Sequence, residues 1–317
     1  MLKKRNEYMK LPIKLQPSQK FLQDEEICSY RVDTRMKEIW AVEIDLLNEF
    51  IKVCTANKLK YYLYSGSMLG AVRHGGIIPW DNDIDVIMPR DDYNKLLEIG
   101  PNAFDSPYYF QNMATEKGKY IYFYSKLCNS QTTARSDEDF EAGQNCGIFI
   151  DIFTLDNLPN GKYVRQFYLF RLKTITKMAR FCCHHAFPSK HGVIPKTKML
   201  FNHCLYFLMG KPSPELLFRK YNKVAGLYKD YNTEMCADLG FGYHAQYSWK
   251  RQDWEQTKQV PFNMIQAIVP INYNTILTTE YGDYMQYPPQ EQRVCHEYYD
   301  FDAETPYKEY FERKTKS

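Results

Sequence analysis

Hydrophobic positions along this chain alternate between a helical and a strand period, and the switches mark out a series of short helices and strands. Residues 1–32 are polar with little periodicity and read as an extended arm. Asp33 suits a helix N-cap. Beyond it Met36, Trp40, Ile44, Leu47, Ile51 and Cys54 recur every three or four positions, which predicts a helix to about Ala56. Residues 61–64 read as a strand ending at Ser65-Gly66-Ser67, followed by a short helix over 68–73 that stops at Gly75-Gly76. Past the Pro79 turn, residues 84–88 form a second strand, and Asp91 opens a helix to about Ile99. Residues 108–110 and 120–127 are aromatic-rich strand candidates. Residues 147–153 are a strand interrupted by one carboxylate, Asp151. Val164, Phe167, Tyr168, Leu172, Ile175, Met178 and Cys182 then make one helical stripe. Further helices are expected over 196–210, 214–229 and near 273–281, the last within a tail rich in Tyr, Pro and Gln.

Composition narrows the class. Of 317 residues 44% are apolar and 25% charged, values of a folded globular chain and not of a disordered one. No apolar run reaches the roughly 18–20 uncharged residues of a membrane span; the longest candidate, residues 199–210, contains Asn202 and His203. The basic N-terminus lacks the apolar stretch of a signal peptide. Nine cysteines, an odd number without a C-x-x-C pair, argue for reduced thiols and a cytoplasmic location. The run Cys182-Cys183-His184-His185 lacks the gaps that zinc ligands use, so it is read as structural.

Charge is divided unevenly. The chain carries 41 Lys and Arg against 38 Asp and Glu, a net +3, yet residues 157–214 contain ten basic residues and no acid. The remainder is therefore acidic, with 31 basic against 38 acidic residues. This block is read as a helical insertion whose charge either faces solvent, attracts an anionic acceptor, or touches an anionic membrane from the cytoplasmic side. Nothing in the chain has the pattern of a nucleic-acid-binding module.

The chemistry concentrates in residues 65–90. Asp83 and Asp85 flank one apolar residue at the start of a strand, which sends both carboxylates to one face about 6.5–7 Å apart. Two acids so placed repel each other, so the pair suits a divalent cation. All-oxygen ligands favour Mg²⁺ or Mn²⁺, whose shells commonly include substrate phosphates. Asp151, again between apolar strand residues, is a third candidate, because an acid in an apolar strand is costly unless it is paired or metal-bound. Upstream, Gly66-Ser67 closes a strand and opens a helix, where free N–H groups can meet a phosphate. This order of elements is the signature of a nucleotidyltransferase fold.

The stretch GSMLGAVRHGGIIPWDNDIDV, residues 66–86, closely resembles the LicD family of phosphorylcholine transferases, with fukutin-type ribitol-phosphate transferases as distant relatives. The resemblance continues through GIFIDIF at 147–153, through YGDYM at 281–285, and to Pro288-Pro289 and His296. It implies an α/β chain of the α+β kind: a nucleotidyltransferase-like mixed sheet with flanking helices and the basic helical insertion. The expected layout is an arm at 1–32, a catalytic core at 33–156, a basic helical subdomain at 157–230 and a C-terminal part at 231–317 packing back on the core. It also implies metal-dependent transfer of a phospho-substituent, foremost phosphocholine from a CDP-linked donor, to a sugar hydroxyl of a cell-surface glycan precursor that can be lipid-linked. On this resemblance Asp83 and Asp85 hold the metal, Asp151 shares it or serves as base, and Gly66 and Ser67 meet the donor phosphates. Arg73, His74 and Lys126 are candidate phosphate or nucleotide contacts, and Trp80 either stacks on a base or packs. Asp81, Asp283 and His296 complete the candidate set. The sequence departs from the family pattern at Asn82, and amides at Asn263, Asn272 and Asn274 bear on donor or acceptor choice. The alternatives from the residues themselves are transfer of a nucleotidyl group to a small molecule, or a non-catalytic assembly role.

Overall fold

The computed structural model of the chain describes residues 10–136, 139, 142–186, 207, 210–240, 247–295 and 299–315. In chain order the elements are β1 (Glu25–Ile27), β2 (Tyr30–Val32), α1 (Thr34–Ala56), β3 (Tyr62–Leu63), α2 (Ser65–His74), β4 (Asp85–Pro89), α3 (Arg90–Ala103), β5 (Tyr108–Gln111), β6 (Ser125–Asn129), β7 (Thr133–Arg135) and β8 (Ile148–Leu158). There follow α4 (Lys162–Ala186), α5 (Pro214–Ala225), β9 (Met235–Asp238), β10 (Trp249–Lys250), β11 (Thr257–Phe262), β12 (Ile265–Pro270), α6 (Tyr273–Tyr281), β13 (Asp300–Asp302) and α7 (Tyr307–Thr315).

The main sheet is mixed and mostly antiparallel. At its centre β4 and β8 run parallel, with Asp85 opposite Asp151. β3 lines the outer edge of β4. The far edge of β8 is shared by two antiparallel neighbours: β6 pairs with its first half and β9 with its last four residues. β5 and β10 extend those two branches. Because β8 is eleven residues long, one strand carries acids to both ends of the sheet.

Helix α1 begins where Asp33 accepts a hydrogen bond from Met36 N, as its N-cap chemistry predicts. It is not a one-faced surface helix. From Ile39 to Leu47 every residue is buried, Glu43 and Asp45 included. Asp45 is fully employed, accepting from Tyr108 Oη at 2.6 Å and from Leu15 N at 2.7 Å. The latter bond ties down the arm, whose Leu11 and Ile13 are buried and whose β1–β2 hairpin gives it regular structure where only extended chain was expected. Residues 120–124 do not join the ladder that β6 starts at Ser125. Instead the rings of Tyr120, Tyr122 and Tyr124 pack on one another with centroids 5.2–6.1 Å apart, so apolar burial substitutes for strand pairing. The tail from Ala237 is also more structured than its composition suggests, supplying β10 to the main sheet and the β11–β12 hairpin. The helix expected over 196–210 lies outside the described residues apart from positions 207 and 210. Among the described residues no helix is long and apolar enough to cross a membrane.

Candidate active site

The site lies where β4 and β8 begin. The strand opens at Asp85, so Asp83 sits in the irregular segment just before it and not within the strand, although the pairing reaches one residue further back through Asp151 N donating to Ile84 O at 2.9 Å. Asp85 N donates to Ser67 Oγ at 2.8 Å, which locks the first turn of α2 to the mouth of the sheet. Gly66 lies against Asp81: a Cβ there would stand 3.1 Å from Asp81 Oδ2. Ser67 and Gly66 thus hold the helix N-terminus beside the acids. The turn after α2 is braced from a distance. Gly75 closes the helix at a φ of 68°, and Asn263 Oδ1 accepts from Ile77 N at 2.9 Å while Asn263 N donates to Gly75 O at 2.7 Å. The amide at Asn263 therefore has a structural duty. So does Asn274, whose Oδ1 accepts from Tyr284 Oη at 2.8 Å.

The electrostatics of the mouth are those of crowded, buried acids. Burial, then the neighbouring carboxylates of Asp83 and Asp151, push the Asp85 carboxyl well above the usual range. Asp81 is raised in the same way, by burial and Asp83. Burial pushes Asp151 up to about 6 against the opposing pull of Lys126. Lys126 stands across the ladder from Asp151, with Nζ 3.7 Å from Asp151 Oδ1 and 3.3 Å from the centre of the Phe149 ring. Its burial opposes the charge, but Asp151 outweighs that cost and its pKa rises. Asp151 Oδ1 is buried without a hydrogen-bond partner.

Two carboxylates join this group that the sequence reading did not assign. Glu43 of α1 is buried, its Oε2 has no hydrogen-bond partner, and burial plus Asp83, Asp81 and Asp151 raise its pKa well above the usual value. The signal was present as an acid inside the largely apolar run Trp40–Leu47. Glu280 of α6 has a buried, unpartnered Oε1, and burial pushes it up to about 8. It precedes Tyr281, whose hydroxyl shares a 2.6 Å hydrogen bond with Ser65 Oγ.

A cleft of about 520 Å³ leads away from Asp81, lined by Gly66, Trp80, Tyr281, Asp283 and Tyr287 among others. Trp80 is well packed at its edge: Tyr30, His74 and Tyr287 approach it edge-on at 5.9–6.3 Å. The guanidiniums of Arg73 and Arg293 lie 5.8 and 5.2 Å from its ring. Arg73 donates to Tyr284 O at 2.8 Å and to His74 Nε2 at 2.9 Å, so it braces the cleft wall. Burial and Arg73 lower the His74 pKa to about 4, leaving a neutral ring at physiological pH. Asp283 accepts from Gln286 Nε2 at 2.6 Å at the cleft rim. His296 lies outside the described residues, as do the side chains of Cys183, His184 and His185.

A divalent cation fits this chemistry: several acids raised by burial and mutual repulsion, with no hydrogen bond to Glu43 Oε2 or to Asp151 Oδ1, the latter facing Lys126 at 3.7 Å. Among the described residues no three His, Cys, Asp or Glu side chains already stand close enough together to hold a metal ion by themselves.

A family model for the LicD/FKTN/FKRP nucleotidyltransferase domain matches residues 58–192. The chain is 27% identical over 271 residues to a lipopolysaccharide cholinephosphotransferase, LicD, of Haemophilus influenzae, covering 82% of this chain and 95% of that protein. An uncharacterized Rickettsia prowazekii protein is 37% identical over 81 residues, covering 25% of this chain and 29% of that protein. The human ribitol 5-phosphate transferase FKRP is 53% identical over 49 residues, covering 16% of this chain and 10% of that protein. The relatives whose names state an activity transfer phosphorylated groups, and the matched segment holds the Gly66-Ser67 turn, Asp83, Asp85, Lys126 and Asp151. Over residues 58–192 the chain is therefore similar to the LicD/FKTN/FKRP nucleotidyltransferase domain, and over 82% of its length to a LicD cholinephosphotransferase.

Proposed function

We propose that this protein transfers a phospho-substituent, foremost phosphocholine from CDP-choline, to a sugar hydroxyl of a cell-surface glycan or teichoic-acid-type precursor. The observation that carries this reading is the register pairing of Asp85 with Asp151, two half-buried acids at a strand mouth crowded by further carboxylates. Asp83 and Asp85, with Asp151 beside them, are the residues to hold Mg²⁺ or Mn²⁺. When bound, such an ion neutralises charge on the donor phosphates and orients them. The first turn of α2 at Gly66 and Ser67 offers backbone N–H groups to the same phosphates.

In the transfer, the acceptor hydroxyl oxygen forms a bond to the phosphorus that bears choline, the phosphoanhydride bond breaks, and CMP leaves. The hydroxyl proton passes to a carboxylate. Asp151, which shares the ion or serves as base, suits that task because burial raises its carboxyl above the usual range and so increases its proton affinity. Lys126 keeps Asp151 oriented and stays cationic beside it. The Trp80–Tyr287 cleft is the space for the donor's nucleoside.

Donor labelled separately in choline and cytidine tests the reading. Choline label reaching glycan supports it. Cytidine label reaching acceptor means a nucleotidyltransferase, and no transfer with any of CDP-choline, CDP-ribitol, CDP-glycerol or CDP-ethanolamine means a non-catalytic role.

A further inference from the structure

Helix α4 is built with two unlike apolar faces. Tyr168, Leu172, Ile175, Ala179 and Cys182 are buried, and Tyr168 Oη donates to Ala225 O at 2.9 Å where α4 lies against α5. On the opposite side Tyr163, Phe167 and Phe170 are 83%, 63% and 62% exposed. At 100° per residue these three fall within a sector about 60° wide. A helix that packs on a protein body with one face ordinarily presents polar residues there. Here the outward stripe is aromatic, and Leu216 at the start of α5 is also largely exposed.

The charge around the stripe has one sign. Lys162, Arg165, Arg171, Lys173, Lys177 and Arg180 lie on α4, which contains no acid in its 25 residues. On the helical wheel Lys177 continues the aromatic sector, Lys162, Lys173 and Arg180 border it on one side and Arg171 on the other. Aromatic residues ringed by cations match a surface with an apolar interior and anionic headgroups. They match a second copy of this chain poorly, since a two-fold contact would set the five bordering cations against five.

We propose that the outward face of α4 is a docking surface for an anionic lipid bilayer, with Tyr163, Phe167 and Phe170 entering the headgroup boundary. The inference does not depend on the identity of the transferred group. The helix is about 37 Å long at 1.5 Å per residue, enough to lie flat on a membrane over several turns. Such docking is reversible and weakens with salt, because both its terms are modest and one is electrostatic.

Cosedimentation of the full chain with vesicles tests it. The protein should bind phosphatidylglycerol-containing vesicles at low salt, bind pure phosphatidylcholine vesicles much less, and release as salt is raised. The exposed-residue variant Tyr163→Ser/Phe167→Ser/Phe170→Ser should bind the anionic vesicles at least about tenfold more weakly with an unchanged thermal midpoint. The variant Arg171→Gln/Lys177→Gln/Arg180→Gln should also bind more weakly and lose most of the salt dependence. A Phe170→Trp variant gives a second readout, with a blue shift of its added emission on anionic vesicles. Failure of the wild-type protein to bind anionic vesicles overturns the proposal. So does wild-type-like binding by the aromatic variant, or a light-scattering result in which the stripe instead holds a dimer together. Full competition by a soluble anionic glycan, with the aromatic substitutions without effect, would reassign the face to the acceptor.

Discussion

Strand β8 carries two acids five residues apart, one buried and one half-buried, and they live in opposite circumstances. Asp156, near its end, is completely partnered. Arg90 Nε and Nη2 each donate to it at 2.6 Å, Thr154 Oγ1 donates at 3.0 Å, and Arg90 Nη1 reaches Asn222 Oδ1 at 2.6 Å. Asp151, near its beginning, has one oxygen without a hydrogen bond, a lysine at 3.7 Å, and other carboxylates as its company. The same strand and the same residue type thus give a structural ion pair at one end and a strained cluster at the other. Burying a charge is costly unless its hydrogen bonds are met, so a cluster that leaves them unmet marks a place where a ligand is to supply them.

Substitutions separate the two ends. Asp85→Asn should lower transfer activity by about a thousandfold or more while the protein remains folded, as judged by circular dichroism and steady-state kinetics. Near-normal turnover would remove the site assignment. At the other end Asp156→Asn should cost about 3–5 kcal/mol in urea unfolding, because Arg90 is left buried without its counter-charge. A loss below about 1 kcal/mol would mean that the pair is not the structural anchor described here. The sharpest contrast is in stability without ligands: Asp85→Asn should leave the protein as stable as wild type or more so, by up to about 1–2 kcal/mol, since it relieves repulsion among crowded acids. Marked destabilisation by Asp85→Asn would make the two ends alike and break the comparison.

A smaller effect is expected from Asp238, between the two ends. Its Oδ1 accepts from Gly240 N at 2.6 Å, yet burial pushes its pKa from the usual 3.8 up to about 7. The folded state therefore holds this proton more tightly than the unfolded chain. That contribution to stability is complete below about pH 4 and is lost as pH rises to about 7. Thermal unfolding of wild type and Asp238→Asn across this window should diverge, with the variant gaining relative stability as pH rises. Parallel curves would refute the shift.

Much of this was legible in the chain itself. The apolar strand segments around Asp85 and Asp151, the Gly66-Ser67 turn and the Asp33 cap are local features, and local sterics and hydrogen bonding decide them. What the sequence did not disclose depends on contacts distant along the chain. Glu43 looks like part of a helix's polar gap until α1 is seen buried all round. Arg73 and Asn263 carry the residue types of ligand contacts, but their partners lie about two hundred residues away along the chain. The strand expected from Tyr120 shortened because aromatic packing competes with ladder formation and wins where no neighbouring strand is in reach.

The central claim is that the acids at the mouth of β4 and β8 await a cation and donor phosphates. Thermal unfolding of wild type and Asp85→Asn with Mg²⁺ or Mn²⁺, each with and without CDP-choline, addresses it directly, since a ligand that binds only the folded state raises its midpoint. The account predicts a rise for wild type that is largest with metal and CDP-choline together and absent in Asp85→Asn. An equal rise in both proteins, or none in either, would contradict it.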